Sequence, residues 1–372
     1  DAWEASSEAF EGEGGLHAPD GVQAARLQGG DAVYEMPAAV LQYRLQLAPG
    51  ERRRVHVMFG PARDEAEIRR LRREYLEPNS FSAARDGYTR YAQAGAGCIT
   101  GSTPDPEFDT FVNSWLPRQV FYHGNTNRLS TDPQTRNYLQ DALGISYVQP
   151  GLARAAFLKT LSQQEDNGAL PEGVRLFEGA ELKYINQVPH TDHDAWLPVC
   201  LQAYLDETGD HALLDETVAG ESVFQRADRA MAHLVENLDE RGLSLLAQGD
   251  WCDPLNMAGH KGKGVSVWLS IATVHALRCW ASICSDAGRQ ELAAHWRDKA
   301  TETEASIQQH LWDGQWFARG ITDDGRVFGS HADTEGSLFL NPQSWALMAG
   351  IATDSQQASM IAAVRERLDT PW

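Results

Sequence analysis

Four stretches of the chain crowd together carboxylates, amides, guanidinium groups and tryptophans. The first runs from Tyr122 to Asp141 and holds Asn125, Asn127, Arg128, Asp132, Gln134, Arg136, Asn137 and Asp141. The second, His190 to Pro198, carries Asp192, His193, Asp194 and Trp196. The third is Gln248 to Asn256, with Asp250, Trp251, Cys252 and Asp253, followed by Lys261 and Lys263 among glycines. The fourth, Phe339 to Trp345, adds Asn341 and Gln343. This is the inventory of a carbohydrate site, because a polyol needs hydrogen-bonding partners around its rim and an aromatic platform under its face. Breaking a glycosidic bond further needs a carboxyl group to protonate the leaving oxygen. Asp192, Asp194 and Asp253 could each serve instead as helix N-caps, the commoner role for a lone Asp. Two aspartates bracketing Trp251-Cys252 in a Gly-flanked loop favour chemistry over capping.

Helices must position these loops. From about residue 106 apolar residues recur at three- and four-residue steps, as in Phe224, Ala227, Met231, Leu234 and Leu238, and in Leu292, Trp296, Ala300, Ile307 and Leu311. Val265 to Ile283 is apolar almost all round, which predicts a buried helix. Roughly eight core helices are expected after residue 105, with the functional loops gathered at one end. A solvent-rich helix is expected over 64–75, with Ile68, Leu71 and Tyr75 on one face. Leu41, Tyr43, Leu45 and Leu47 alternate with polar residues, and Val55, Val57 and Phe59 follow a turn at Pro49-Gly50; this predicts a hairpin. A second hairpin is expected with Trp316-Phe317 and Val327-Phe328 flanking Asp323-Asp324-Gly325.

With 372 residues the chain exceeds one minimal domain. Its net charge of −20 argues against nucleic acid or an anionic membrane as partner, and requires any bound anion to be met by local donors. No uninterrupted apolar run approaches the ~18 residues of a membrane span, and no signal peptide opens the sequence. The five cysteines show no zinc spacing; three lie in apolar surroundings, where a buried thiol is the better reading, and a reducing cytoplasm suits them. The 11 tryptophans cluster in the middle and later parts of the chain, where the polar loops lie.

The residues Gly249 to Asn256, followed by Gly262-Lys263-Gly264-Val265-Ser266-Val267-Trp268-Leu269, resemble the tryptophan–aspartate signature of glycoside hydrolase family 94. Arg136 to Asp141, His190 to Leu197, Thr208-Gly209-Asp210 and Leu340 to Trp345 resemble further family runs in the same order. The resemblance implies a mainly α fold: an (α/α)6 barrel at 105–372 lacking its C-terminal part, preceded by the end of a β-sandwich (1–62) and a helical linker (63–104). It implies inverting phosphorolysis of a β-linked glucosyl disaccharide, with inorganic phosphate as co-substrate, no metal or other cofactor, and a homodimer. By position, Asp253 matches the general acid, Trp251 lines the sugar site, and Arg136 and Asp141 hold the non-reducing glucosyl unit. Arg128, Asp192 and Trp196 are counted with the same subsites.

Two departures bear on the substrate and on phosphate. Cys252-Asp253-Pro254-Leu255 and the Thr131–Asp141 wording look most like the branch acting on 4-O-β-glucosyl-gluconate, with cellobiose or cellodextrin as the alternative. The family's phosphate ligands fall beyond Trp372, so both ends are expected to be truncated and the chain alone to be a poor catalyst. Asp253 must be protonated to act, and Asp250 together with the Trp251 face is expected to favour that form. Two rivals remain open: a non-catalytic glycan-binding module, and an inverting hydrolase using Asp192 or Asp194 as base.

Overall fold

The computed structural model describes residues 2–60, 62–77, 79–93 and 100–370; Cys98, Pro371 and Trp372 lie outside them. The chain is mainly α and divides into two compact units at Gly87/Tyr88.

In the first unit, strand β1 (Ala2–Ser6) pairs antiparallel with β2 (Pro37–Gln42), and two short helices, α1 (Ser7–Glu11) and α2 (Asp20–Gln23), lie between them. The predicted hairpin is therefore displaced. The strand near residue 41 ends at Gln42 and pairs with the N-terminal segment, while residues 43–60 form no strand. Leu45, Leu47, Val55, Val57 and Phe59 are exposed. Alternation supplies an apolar face but no second layer to cover it, and two strands alone bury too little. Helix α3 (Glu65–Tyr75) begins where predicted, with the Asp64 carboxylate accepting from the Glu67 N–H as N-cap. Helix α4 (Ser80–Gln93) follows.

The second unit holds the core. A short helix, α5 (Pro106–Thr110), leads into α6 (Leu116–Thr126), α7 (Thr135–Ser146), α8 (Pro150–Leu161) and α9 (His193–Thr208). A two-residue ladder of β3 (Thr217–Val218) and β4 (Glu221–Ser222) precedes α10 (Val223–Glu236), which opens with a Ser222/Gln225 capping box. Strand β5 (Val265–Ser266) enters α11 (Val267–Asp286), which is followed by α12 (Gln290–His310). Fifteen of the 20 residues of α11 are buried, which answers its uniform apolarity; by composition it could span a membrane, yet here it is the central core helix. It packs against α9, α10, α12 and α13 (Leu340–Met348), and α14 (Asp354–Arg367) packs on α13.

The second hairpin forms four residues later than predicted on its first side, as β6 (Gly320–Ile321) with β7 (Val327–Phe328), because Trp316 and Phe317 are wholly buried in the core. Strand β6 also pairs with β5, bringing the residue before it, Arg319, to the start of α11. Cys200, Cys279 and Cys284 are buried free thiols, and burial pushes the last two up to about 12.

Candidate active site

The N-terminal ends of α7, α9 and α11 converge on one place. Arg136 lies in the first turn of α7, Asp192 directly precedes α9, and the loop carrying Asp250 to Asp253 runs toward α11. Loop pairing fixes the approach: the Thr191 N–H donates to the Gly249 carbonyl (3.1 Å), and Gln134 bridges to Gly173.

Arg136 is the hub. Its two terminal nitrogens donate to Asp192 Oδ1 (2.9 Å), the Asp250 carbonyl (3.1 Å), Gln134 Oε1 (3.2 Å) and Asp253 Oδ1. Asp192 is wholly buried, and its second oxygen accepts from Trp196 Nε1 (3.1 Å). Asp192 stands at the N-cap position without capping α9, since both its oxygens are spent. The Asp253 side chain is 42% exposed, and His190 Nε2 lies 3.4 Å from its Oδ1.

Asp250 differs from expectation. Its carboxylate is fully buried and bidentate to Arg319 Nη2 (2.7 and 2.8 Å), and it also accepts from the Ser266 hydroxyl and the Cys252 N–H (2.8 Å). A carboxylate with no water must be matched by donors or leave its charged form. Asp250 is therefore a neutralised anchor of the loop, and the ionic partner of Asp253 is Arg136. Lys261 and Lys263 anchor the loop through backbone, their N–H groups donating to Asp323 at 2.9 Å each.

Beside Asp253 the Trp251 indole is 41% exposed, while Trp196, Trp268 and Trp345 are buried around it. Ring centroids lie 5.3 Å from Trp251 to Trp196 and to Trp268, and 6.1 Å to Trp345. The buried rings hold the outer one in place, leaving one indole open to solvent. Trp196, expected at the sugar, is a buried support whose N–H is already used.

Arg128 and Asp141 form a separate pair, bidentate at 2.8 Å twice. Asp141 is joined to Arg136 only along α7, five residues or about 7.5 Å of helix rise away. Asn127, Arg128 and Leu129 all adopt left-handed backbone (φ 49, 55 and 57°). For non-glycine residues this costs about 1–2 kcal/mol each, a concentration of strain typical of sites held for use. The structure thus brings together Asp253, Arg136, Asp192, Trp196 and Trp251, and places Arg128 with Asp141 apart from them.

Glu172 and Arg319 escaped the sequence reading. Glu172 sits in a Pro-Glu-Gly turn without a motif; Arg319 could have been suspected as a lone cation in the apolar run from Trp316 to Ile321. Glu172 accepts from the His190 backbone N–H (3.0 Å) and lies 3.3 Å from His190 Nδ1 and 3.1 Å from His193 Nε2. Burial works against ionising Glu172, but the two imidazoles outweigh it and hold its carboxyl below the usual range. Among the described residues these three are the one trio whose atoms could converge on a metal ion, but the spacings are those of two imidazoles hydrogen-bonded to one carboxylate. Asp132 is buried too; burial opposes its charge, yet Lys183 and Asn186 hold it down to about 2, pinning the first loop.

The family model described as the catalytic domain of the glycosyl hydrolase 94 superfamily matches residues 96–372, and that of the glycosyl hydrolase 94 supersandwich domain matches 1–78. The chain is 53% identical to a cellobionic acid phosphorylase of Neurospora crassa over 377 residues, covering 100% of this chain and 48% of that protein. It is 33% identical to a 3-O-β-D-glucopyranosyl-β-D-glucuronide phosphorylase of Paenibacillus borealis, covering 100% of this chain and 49% of that one. The chain thus spans about half the length of the curated relatives it matches. A rhamnosidase from Klebsiella oxytoca with rhamnose bound shares the fold, with a TM-score of 0.51 at 16% identity over 74% of this chain and 50% of that one.

Proposed function

Since the chain belongs to the glycosyl hydrolase 94 family, through both its catalytic and its supersandwich domains, we propose that its site carries out inverting phosphorolysis of a β-glucosyl disaccharide. Asp253 is the general acid, Trp251 the sugar platform, and Arg128 with Asp141 the hold on the non-reducing glucosyl unit. Arg136, Asp192 and Trp196 position Asp253 and Trp251. The enzyme works as a homodimer in a reducing cytoplasm, on an (α/α)6 barrel preceded by a β-sandwich and a helical linker, and takes phosphate as co-substrate without a cofactor.

The observation that carries the reading is that the other carboxylates of these loops, Asp192, Asp250, Glu172 and Asp194, are each already held. Asp192 is held by Arg136 and Trp196, Asp250 by Arg319, and Glu172 by two histidines. Asp194 accepts from the Leu170 N–H (2.9 Å) and lies 2.6 Å from His233 Nδ1. An inverting hydrolase needs a free carboxylate to activate water. Phosphate is already an anionic nucleophile, so one carboxyl suffices.

The acceptor on this reading is gluconate, released when cellobionic acid is cleaved. The two relatives named above act, by their names, on substrates that carry a carboxylate. In a chain of net charge −20 that carboxylate must meet local cations, because burying it unpaired costs several kcal/mol. Initial rates of synthesis from α-glucose 1-phosphate should therefore be highest with gluconate, ahead of glucose, cellobiose and N-acetylglucosamine. A clear preference for glucose or cellobiose moves the chain to the neutral-sugar phosphorylases and leaves Asp253 in its role.

A further inference from the structure

A general acid that has protonated its leaving group is a carboxylate, and Asp253 must regain a proton before the next turnover. On the face turned toward the protein, Asp253 Oδ1 meets Arg136, which keeps its protons, and His190 Nε2 at 3.4 Å. His190 is 8% exposed overall, and Gly249 packs against its ring so closely that an added Cβ would stand 3.0 Å from Cδ2. On its far side Nδ1 faces Glu172, which is shared with His193. Behind these three lies a cavity of about 380 Å³, also lined by Glu165, Asp194 and His233. The imidazole is thus held by Glu172 on one side while its Nε2 faces the carboxyl that does the chemistry.

We propose that His190, held by Glu172, returns the proton to Asp253 between turnovers and is itself recharged at Nε2 by water entering the site as the products leave. The inference rests on Asp253 being the general acid. The protons balance. Phosphate enters as HPO4²⁻, its oxygen bonds to the anomeric carbon, the glycosidic C–O bond breaks, and the leaving oxygen takes the proton of Asp253. The sugar phosphate leaves as a monoanion and gives up its remaining proton to water, since such monoesters ionise near pH 6. The His190 imidazolium passes its Nε2 proton to Asp253 Oδ1 and keeps the one on Nδ1, which faces Glu172; Nε2 is then reprotonated by water entering as the products leave, so each turnover consumes and releases one proton at the protein. The proton moves to the substrate side when the carboxyl turns about its soft terminal torsion, leaving Arg136 as it does so.

The groups around His190 fit this task. Burial and the Arg136 charge oppose its protonation, but the Glu172 hydrogen bond and the charges of Glu172 and Asp192 outweigh them and raise it above the ordinary histidine value. His193 lies alongside, ring centroids 5.8 Å apart. Only the protonated imidazole can donate, so turnover falls as pH rises through its pKa. Removing the Glu172 charge lowers that pKa and moves the fall to lower pH.

The test compares kcat, KM and pH profiles of phosphorolysis for His190→Gln, Glu172→Gln and Asp253→Asn in the active protein. In His190→Gln, kcat should fall about 10²-fold, the lower end of what one positioned proton donor contributes, with KM within about threefold of wild type. In Glu172→Gln the alkaline limb of kcat should move to lower pH, and this decides the matter if His190→Gln does not fold. Wild-type kcat in His190→Gln, or an unmoved limb in Glu172→Gln, alongside an inactive Asp253→Asn overturns the proton return and spares the general acid. An active Asp253→Asn overturns both.

Discussion

Asp253→Asn should lower the rate of phosphorolysis by about 10²–10⁴-fold, the contribution of one positioned general acid, while leaving sugar binding nearly intact. The amide keeps the size of the side chain and a carbonyl oxygen to accept from Arg136, so the loop has little reason to move. What it loses is the proton. Trp251, Arg128 and Asp141 are untouched, which is why binding, followed by tryptophan fluorescence or calorimetry, should survive. Phosphorolysis within about threefold of wild type would remove Asp253 from the mechanism.

The second large effect is on stability. Arg319→Met should destabilise the α-helical unit by about 3–5 kcal/mol, the usual result of stripping one partner from a buried ion pair. Both side chains of the Asp250–Arg319 pair are 0% exposed. Methionine fills much of the volume but leaves the Asp250 carboxylate with only the Ser266 hydroxyl and the Cys252 N–H. Arg319→Met combined with Asp250→Leu should recover part of the loss, because the stranded charge disappears with its partner. Chemical denaturation of the two variants and wild type measures this. A single-variant loss below about 1 kcal/mol would mean that the pair is not buried as described.

Much of this was legible in the sequence, for reasons particular elements make clear. The long helices α10 and α12 announce themselves because a core-facing helix must repeat its apolar residues every three or four positions, and α11 because a helix buried on all sides is apolar all round. Asp253 and Trp251 stood out because acidic and aromatic residues packed into a Gly-flanked loop have few structural uses. The strand expected at 55–59 failed because alternation says nothing about whether a partner strand exists. Pairings across long sequence distances were also hidden. Arg136 meets Asp253 117 residues away and Arg319 meets Asp250 69 away; local spacing encodes neither. The family resemblance assigns Arg136 and Trp196 to the sugar, and residue type with nearness in sequence assigns Asp250 to the acidity of Asp253. Burial, which type does not specify, turned all three inward.

The claim that this site is an inverting phosphorylase is tested most directly by following cellobionic acid with the protein, with and without inorganic phosphate, by NMR of the products. The expected result is α-glucose 1-phosphate and gluconate in equal amounts, appearing only when phosphate is present. Glucose released in phosphate-free buffer, or a β-configured sugar phosphate, would contradict it.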